Sequence, residues 1–413
     1  MLLPELILSD VLAGDGRPGA NDRVNLGYIG VGHRGPQLMV LPKDARIAAV
    51  CDVDQRHCDA VAKSQRCRTT RRYRDLLDAK DIDAVVIATP EHWHALPMIE
   101  ACQAGKDVYC EKPLGLTVRE GRAMVTAARK CRCVVQVGTH QRSMAANRLG
   151  CEAVRDGLIG EVREVISSEY ASPWNAELPE QPVPAELDWD TWCGQTEPRP
   201  YHPAIYPAYG LPGWTSLRRY SGGRMTGWGV HGLDQLQWAL GMEQTGPVEI
   251  WVEGERFDPP TYRTPEKPHR GIEICTQPKI RMRYANGVVV KLDGGTTWGG
   301  IFLGERGKIT IDRGIFRTEP RELAEIPPKD DHYAAGNEHI KNWIDCIKSR
   351  QTPRSEIEAA HRSTTVCHLG NIARWLGRRL HWDPAREIFP GDDEANALLE
   401  RRQRAPYGLP DTV

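Results

Sequence analysis

A glycine-rich turn between a short apolar strand and a helix-like run is the feature that most constrains the fold of this chain. The stretch VNLGYIGVGHRGPQL contains the pattern Gly-x-Gly-x-x-Gly. In a βαβ unit the first glycine permits a tight turn, the second lets the backbone approach a pyrophosphate, and the third lets the helix pack closely on the strand, with its N-terminus facing the phosphates. The pattern predicts a dinucleotide-binding turn formed by Gly30, Val31, Gly32, His33, Arg34 and Gly35.

An acidic residue at the end of the second strand indicates which dinucleotide this is. The run RIAAVCDVD reaches Asp52, 22 residues after Gly30. A carboxylate at that spacing accepts hydrogen bonds from the adenosine ribose hydroxyls, and with Asp54 close by it would repel a 2′-phosphate. The sequence therefore favours NAD over NADP, although Arg34 is a residue that could hold the phosphate instead.

Strands and helices of similar length alternate through the first third of the chain. Apolar runs predict strands at 84–88, at 107–110 and in CVVQVGTHQR, with a helix at about 118–130. This alternation is typical of a doubly wound parallel sheet, in which ligands bind beyond the carboxyl ends of the strands. Three polar loops follow those ends, TPEHWH, EKP and THQR, so we expect the chemistry of the protein there.

Length and composition narrow the class of protein. A chain of 413 residues is too long for one ordinary core, so two domains are expected. The net charge is −1 and no basic stripe is visible, which argues against a nucleic-acid partner. The 12 cysteines are scattered without a CxxC pair, so we expect free core thiols and no metal site.

The N-terminal stretch MLLPELILSDVLAGDG is apolar but includes Glu5 and Asp10 and lacks a basic start. It is a poor signal peptide and is too short to span a bilayer. We therefore expect no membrane partner and a cytoplasmic location. The alternative is a periplasmic location, if this stretch is the remnant of a trimmed export signal.

The motifs GYIGVGHRG, ATPEHWHALPMIEACQAGKDVYCEKP and VQVGTHQRS resemble, in order and spacing, those of the Gfo/Idh/MocA family of NAD(P)-dependent sugar oxidoreductases. The later stretches LDWDTWCGQTEPRPYHP, GGRMTGWGVHGLDQLQWALG and VCHLGNIARWLGRRLHWDP resemble its C-terminal half. The resemblance implies an α/β protein with an N-terminal Rossmann domain and a C-terminal α/β domain whose sheet is large, open and mostly antiparallel. One face of that sheet closes over the nicotinamide, and the other often forms a homodimer or homotetramer.

The second half of the sequence agrees with that architecture. Strand-like runs recur in EVREVISSEY, PVEIWVEGE, IRMRYANGVVVKLDGG and GKITIDRGIFRT, with Asn286 and Gly287 as a hairpin turn. Helices are expected near 336–349 and 355–378. The predicted units are a flexible lead-in or signal remnant (1–23), an NAD-binding domain (24–146), a domain for substrate binding and oligomerisation (147–390) and a surface tail (391–413).

Two residues of these motifs carry the chemistry that the resemblance implies. Lys112 is held at a strand end by Pro113, and a dry site beside a cationic nicotinamide would lower its pKa. The family gives this position a hydrogen bond to the reacting hydroxyl, and gives the position of His231 a proton relay. The alternatives are a surface lysine that pairs with Glu111 and a histidine that only packs in the core.

One position departs from the family pattern. The usual aspartate four residues before the histidine is replaced by Gly227, which can neither accept a proton nor orient His231. Candidates for the missing role are Asp234, Tyr220 and Arg224. The predicted substrate-binding residues are Gln141, Arg142, Tyr220 and Asp234. The remaining predicted cofactor contacts are Thr89, Pro90, His92, His94, Glu111 and Lys112, with a structural role as the alternative for the two histidines.

The sequence thus predicts an NAD-dependent oxidoreductase that acts on a hydroxyl of a sugar or sugar derivative, with NAD that can be tightly held. The 12 tryptophans against 4 phenylalanines suit a carbohydrate, because flat aromatic faces stack on sugar rings. A first alternative is a glycoside hydrolase that oxidises C3 transiently, eliminates the aglycone and returns the hydride. A second is a nucleotide-binding protein without turnover.

Overall fold

Two β-sheets organise the part of the chain that the computed structural model describes, which is residue 19 and residues 22–208, 212–263 and 276–410. The predicted lead-in, residues 1–23, lies almost entirely outside these residues. The strands of the first sheet are β1 Val24–Ile29, β2 Ala45–Cys51, β3 Arg68–Thr70, β4 Ala84–Ile87, β5 Asp107–Cys110 and β6 Val135–Val137. They pair in parallel in the order β3-β2-β1-β4-β5-β6. The order reverses between β1 and β4, which creates a crevice at the carboxyl ends of these two strands.

The helices that cover this sheet agree with the predicted alternation. They are α1 Gln55–Gln65, α2 Tyr73–Asp78, α3 Ala95–Gln103 and α4 Val118–Cys131. The next helix, α5 Ala145–Arg155, packs on the second sheet instead, where its Cys151 and Val154 join a buried cluster with Phe316. Helix α4 begins where its sequence allows, because the side chain of Thr117 accepts a hydrogen bond from the backbone N–H of Glu120.

The prediction of a helix directly after the glycine turn was wrong. The structure has only a 3₁₀ turn there, Gly35–Leu38, with Pro36 at its start. A second proline, Pro42, follows four residues after Leu38, and proline cannot continue a helix interior. The expected helix N-terminus facing the phosphates is therefore absent from this turn.

The second sheet has eight strands and is mostly antiparallel, as expected. Its strands are β7 Val162–Ser167, β8 Glu249–Glu253, β9 Lys279–Arg283, β10 Val289–Leu292, β11 Gly300–Gly304, β12 Gly307–Asp312, β13 Ile315–Glu319 and β14 Leu380–His381. Their order is β13-β12-β11-β7-β10-β9-β8-β14, and β7 pairs with β10 in parallel. The predicted hairpin is present: Gly287 adopts φ 90° and Tyr284 N–H donates to the Val288 carbonyl at 2.9 Å. Strand β11 was missed by the sequence analysis.

The remaining helices come from the second half of the chain. They are α6 Trp189–Cys193, α7 Arg224–Gly227, α8 Gly229–Ala239, α9 His332–Ser349, α10 Ile357–Leu376 and α11 Asp393–Asn396. Apolar residues of α8, such as Leu233 and Leu236, join Ile280 and Val290 of the sheet in one buried cluster. Among the helices described, none combines the length and apolar character needed to cross a membrane.

Two helices from the far end of the chain complete the first domain. Ile340 and Trp343 of α9 pack in one buried cluster with Leu26 and Tyr28 of β1. Ile357 of α10 joins the cluster on the other face of the same sheet. The first sheet is thus covered partly by residues that follow the second sheet in the sequence.

Buried histidines tie these two helices to the first domain. The Nε2–H of His339 donates to the carbonyl of Val137 at 2.9 Å, and its Nδ1 accepts from Ser143 Oγ at 2.7 Å. The Nε2–H of His368 donates to the carbonyl of Gly115 at 2.9 Å. Burial lowers the pKa of both imidazoles to about 4, so both rings are neutral near pH 7.

We expect the free energy of unfolding to fall when the pH is lowered from about 6.5 to 5. Burial lowers the pKa of eight described histidines: His92, His94, His140, His202, His231, His339, His361 and His368. Such rings bind protons in the unfolded chain before they do so in the folded one, and each fully buried ring costs up to about 1.4 kcal/mol per pH unit. They outnumber His57 and Glu91, whose raised pKa values act in the opposite sense.

Urea unfolding at several pH values measures this slope. The variant His368→Gln keeps an N–H donor and removes one titrating ring, so its slope should be smaller than that of the wild-type protein. A free energy of unfolding that stays level or rises between pH 6.5 and 5 would contradict the prediction.

Candidate active site

A cleft of about 1460 Å³ opens where the carboxyl ends of the first sheet meet the second half of the chain. It is larger than the roughly 300–1,000 Å³ of a typical small-molecule pocket, and so has room for a dinucleotide and a second ligand. The predicted site residues that line it are Gly30, Gly32, His33, Arg34, Asp52, Thr89, Pro90, His94, Glu111, Lys112 and His231.

Two members of the glycine turn, Val31 and Gly35, support the turn and do not line the cleft. The backbone N–H of Val31 donates to Asp52 Oδ2 at 2.8 Å, which fixes the turn to the end of β2. A Cβ atom on Gly35 would lie 2.4 Å from the carbonyl oxygen of Gly30, so only glycine fits there.

The turn fits the close approach of a dinucleotide. Gly30 adopts φ +84°, and a Cβ atom on it would lie 2.7 Å from the backbone nitrogen of Thr89. The surface of the turn is therefore free of side chains at the point where β1 and β4 diverge. Asp52 lines the cleft with its carboxylate held by Val31 and by the backbone N–H of Asp54 at 2.9 Å. A carboxylate and a bare turn at this place are what an adenosine ribose and a pyrophosphate require.

The second half of the chain closes the cleft beside Asp52. The hydroxyl of Tyr206 donates to Asp54 Oδ2 at 2.8 Å, and its ring lies nearly parallel to His57 with the ring centres 6.2 Å apart. The backbone N–H of Asp188 donates to the Val53 carbonyl at 3.0 Å. Tyr206 belongs to the domain predicted for substrate binding (147–390), and the structure places it at the nucleotide end of the cleft.

His92 and Tyr220 belong to a buried aromatic cluster behind the cleft wall. The Nε2–H of His92 donates to the carbonyl of Trp192 at 2.8 Å, and the rings of His92 and Tyr220 are 5.0 Å apart. Burial lowers the pKa of His92 to about 3. For these two residues the structure favours packing over the predicted ligand contacts. His94 does reach the cleft, although both of its ring nitrogens face backbone carbonyls.

Arg142 and Asp234 form a buried ion pair away from the cleft. Arg142 Nε lies 2.8 Å from Asp234 Oδ2, and Arg142 Nη1 lies 2.7 Å from Glu243 Oε1. Ser363 Oγ also donates to Asp234 at 2.7 Å. These charges satisfy one another and neither residue lines the cleft, so the geometry favours a structural ion pair over the predicted substrate contacts of Arg142 and Asp234. For the same reason Asp234 is not the carboxylate that position 227 lacks.

Gln141 does not line the cleft but contacts a residue that does. Its Nε2 donates to the carbonyl of Trp298 at 3.0 Å, and its Oε1 accepts from Arg313 Nε at 3.2 Å. Arg313 itself lines the cleft, with its guanidinium 4.1 Å from the ring centre of Trp298. The sequence analysis missed Arg313, because it lies at the tip of the hairpin between β12 and β13, more than 170 residues from the predicted loops.

Lys112 joins the two halves of the chain at the centre of the cleft. Its ammonium donates to the carbonyl of Gly227 at 2.8 Å. Burial lowers its pKa, against the opposing attraction of Glu111 and Glu91. Arg34 Nε lies 2.7 Å from Glu111 Oε1, so Glu111 pairs with Arg34 rather than taking the lysine ammonium as its hydrogen-bond donor.

His231 lines the same cleft from the first turn of α8. Its ring is 5.2 Å from the ring of His140, and its Nδ1 has no hydrogen-bond partner within the described part of the chain. Burial, reinforced by the positive charge of Lys112, holds the pKa of His231 well below its usual value. The imidazole is therefore neutral near pH 7, with one nitrogen that can donate and one that can accept. His140, in the predicted loop THQR, was missed as a cleft residue.

Comparison with known proteins agrees with this architecture. Residues 24–139 match the model described as "Oxidoreductase family, NAD-binding Rossmann fold", and residues 156–409 match "Oxidoreductase family, C-terminal alpha/beta domain". The chain is 37% identical over 112 residues to 1,5-anhydro-D-fructose reductase from Ensifer adhaerens, covering 26% of this chain and 34% of that protein. It is 35% identical over 159 residues to a glycosyl hydrolase family 109 protein from a Shewanella strain, covering 34% of each.

Solved structures extend the likeness over nearly the whole chain. Levoglucosan dehydrogenase in complex with NADH and levoglucosan superposes with a TM-score of 0.63 at 18% identity, over 87% of this chain and 99% of that one. The WlbA dehydrogenase from Bordetella pertussis, in complex with NADH and UDP-GlcNAcA, gives 0.64 at 19% identity, over 89% and 99%. At this identity they show a shared fold, whereas the curated relatives are matched over about a third of their length. The two family models together span most of the sequence, and the chain belongs to the Gfo/Idh/MocA oxidoreductase family.

Proposed function

We propose that the protein transfers a hydride between NAD and a hydroxyl-bearing carbon of a sugar or sugar derivative. The observation that carries this proposal is that Lys112 and His231 line one cleft together with the glycine turn and Asp52. In the oxidising direction the carbon loses a hydride, the hydroxyl oxygen loses a proton to the protein, and a C=O bond forms. When bound, NAD supplies the hydride acceptor.

Lys112 is the first acceptor of that proton in our proposal. Its lowered pKa makes the neutral amine easier to form than in an ordinary lysine, and the Gly227 carbonyl holds the nitrogen in one position. His231 is neutral and can hydrogen-bond the same hydroxyl, because a neutral ring both donates and accepts. Together they supply general acid–base catalysis, which would be absent from a protein that only binds a nucleotide.

We infer that Asp52 and the glycine turn hold NAD rather than NADP. The carboxylate of Asp52 disfavours a 2′-phosphate, and Arg34 is engaged by Glu111 at 2.7 Å and by Gln37 at 3.0 Å. Tyr206, which donates to Asp54, supports slow release of the nucleotide because it closes the same end of the cleft.

Two features support a carbohydrate substrate. Trp214 and Trp228 line the cleft, are partly exposed and offer flat faces to a sugar ring. The names of the relatives and of the solved structures refer to sugars and sugar derivatives.

A homodimer or homotetramer is part of the proposal. Ile166, Ile301 and other half-buried residues on the outer face of the second sheet offer an interface for it.

A hydrolase that oxidises and then re-reduces its substrate is the second candidate, favoured by the match to the glycosyl hydrolase family 109 protein. It would use the same acid–base pair without net change in NAD. A sugar screen that follows both NADH absorbance and aglycone release separates the two: net NADH formation supports the dehydrogenase, and release without NADH supports the hydrolase.

Substitutions of Asp52 should change the choice of nucleotide. We expect Asp52→Ala to weaken NAD binding by about 10- to 100-fold, the usual effect of losing a charged hydrogen bond. Asp52→Asn keeps an oxygen for Val31 and removes only the charge, so it should raise the affinity for NADP relative to NAD. Calorimetry measures both; tighter binding of NADP than of NAD by the wild-type protein would refute the assignment.

Replacement of Lys112 should stop turnover and spare cofactor binding. Lys112→Met keeps the length of the side chain and removes the proton acceptor, so turnover should fall by about 10²-fold or more. The affinity for NAD should change far less. Lys341→Met, at a half-exposed position on α9, is the matched control. Wild-type turnover in Lys112→Met would remove this lysine from the mechanism.

A further inference from the structure

We propose that Glu91 is a positioning residue of this site, whose carboxylate beside Gly227 controls the proton on Lys112. This inference rests on the proposed function. It assigns a role to a residue that the sequence analysis did not select, and it answers what replaces a carboxylate at position 227.

Glu91 is held in a fixed orientation by the second half of the chain. It begins the 3₁₀ turn Glu91–Trp93 after β4, lines the cleft and is only 3% exposed. Its carboxylate accepts hydrogen bonds from Ser221 Oγ at 2.8 Å, from the backbone N–H of Gly222 at 2.9 Å and from Thr226 Oγ1 at 2.9 Å. Three donors from one segment leave the carboxylate little freedom to turn away.

The carboxylate and the lysine approach the same residue. A Cβ atom built on Gly227 would lie 3.8 Å from Glu91 Oε1, and among the described residues outside its own helix and chain neighbours no other heavy atom comes within 4 Å. The carbonyl of Gly227 accepts the Lys112 ammonium at 2.8 Å. Glu91 therefore occupies the region that a short acidic side chain at position 227 would reach. The backbone there does not have the positive φ that requires glycine.

Glu91 and Lys112 interact through their charges. The negative charge of Glu91 raises the pKa of Lys112, against the effect of burial. Burial in turn raises the pKa of Glu91 to about 7, although Lys112 and the three hydrogen bonds oppose this. The carboxyl group thus changes its charge near neutral pH, while it stays next to the lysine that must give and take a proton.

The other groups around Lys112 hold their charge over this range. Burial favours protonation of Glu111, but Arg34 and Lys112 keep its pKa below the usual value, so it stays ionised. The arginines remain positive and the buried histidines remain neutral. Besides Glu91, the groups that interact electrostatically with Lys112 are Glu111, Arg34, Arg313, His94, His140 and His231. Cys367 also faces Glu91, and its pKa is raised well above the usual value, so it is neutral.

The test is Glu91→Gln, which removes the charge and keeps the shape. The amide oxygen can accept from Gly222 and Thr226, and Ser221 can rotate its hydroxyl to accept from the amide. Without the negative charge the pKa of Lys112 falls, so the acid limb of kcat/KM for hydroxyl oxidation should move to lower pH. We expect a shift of about one unit, the lower end of the effect of a neighbouring charge, with a smaller change in KM than in kcat.

A rescue variant separates charge from structure. In the Glu91→Gln background, Gly227→Asp returns a carboxylate to the same region, and the acid limb should move back toward the wild-type pH. Gly227→Asn in that background is the matched control, since it adds the same volume without charge and should leave the limb shifted. Rescue by both variants, or by neither, would overturn the proposal.

A second measurement does not depend on turnover. The pH dependence of reductive methylation of Lys112 with formaldehyde, followed by mass spectrometry, reports the pKa of this amine in the protein without substrate. That pKa should be lower in Glu91→Gln by about the same one unit. An unchanged pKa would show that Glu91 serves only to join the two halves. If no sugar is turned over but the pKa moves, the proposed function fails while the role of Glu91 stands.

Discussion

The arrangement of the cleft depends on the partly buried ammonium group of Lys112. A buried charge is tolerated only where partners replace the water it has lost. Here the partners come from both halves of the chain: the Gly227 carbonyl at 2.8 Å, and the negative charges of Glu111 and Glu91. Because the carbonyl belongs to α7 and the lysine follows β5, the contact joins the first domain to the second half of the chain at the wall of the cleft.

The rings of His231 and His140 are neutral chiefly because they are buried, and the positive charge of Lys112 adds to the lowering of the pKa of each ring. Protons near the substrate can then reside on Lys112 or on Glu91, the groups whose ionisation is balanced by opposing effects. The site combines fixed charges, neutral rings and a small number of groups that titrate.

Much of the fold could be predicted because its signals are local. The strands at β4 and β5, the start of α4 and the hairpin at Gly287 each follow from a run of adjacent residues. The predicted helix after the glycine turn was wrong because two prolines prevent a helix from continuing through so short a segment. The roles of Glu91 and Arg142 could not be predicted from the sequence, because their partners lie 92 or more residues away. The sequence around a charged residue does not show whether its side chain faces the cleft or forms a buried ion pair.

The packing of α9 on β1 has a consequence for the synthesis of the chain. About 300 residues separate the end of β1 at Ile29 from the start of α9 at His332. At roughly 5–20 residues per second, a ribosome needs about 15–60 s to cover that distance. For this period the nascent first domain lacks the helix that buries Leu26 and Tyr28, so an apolar strip is open to chaperones and to other nascent chains. The first domain is made early but is completed late.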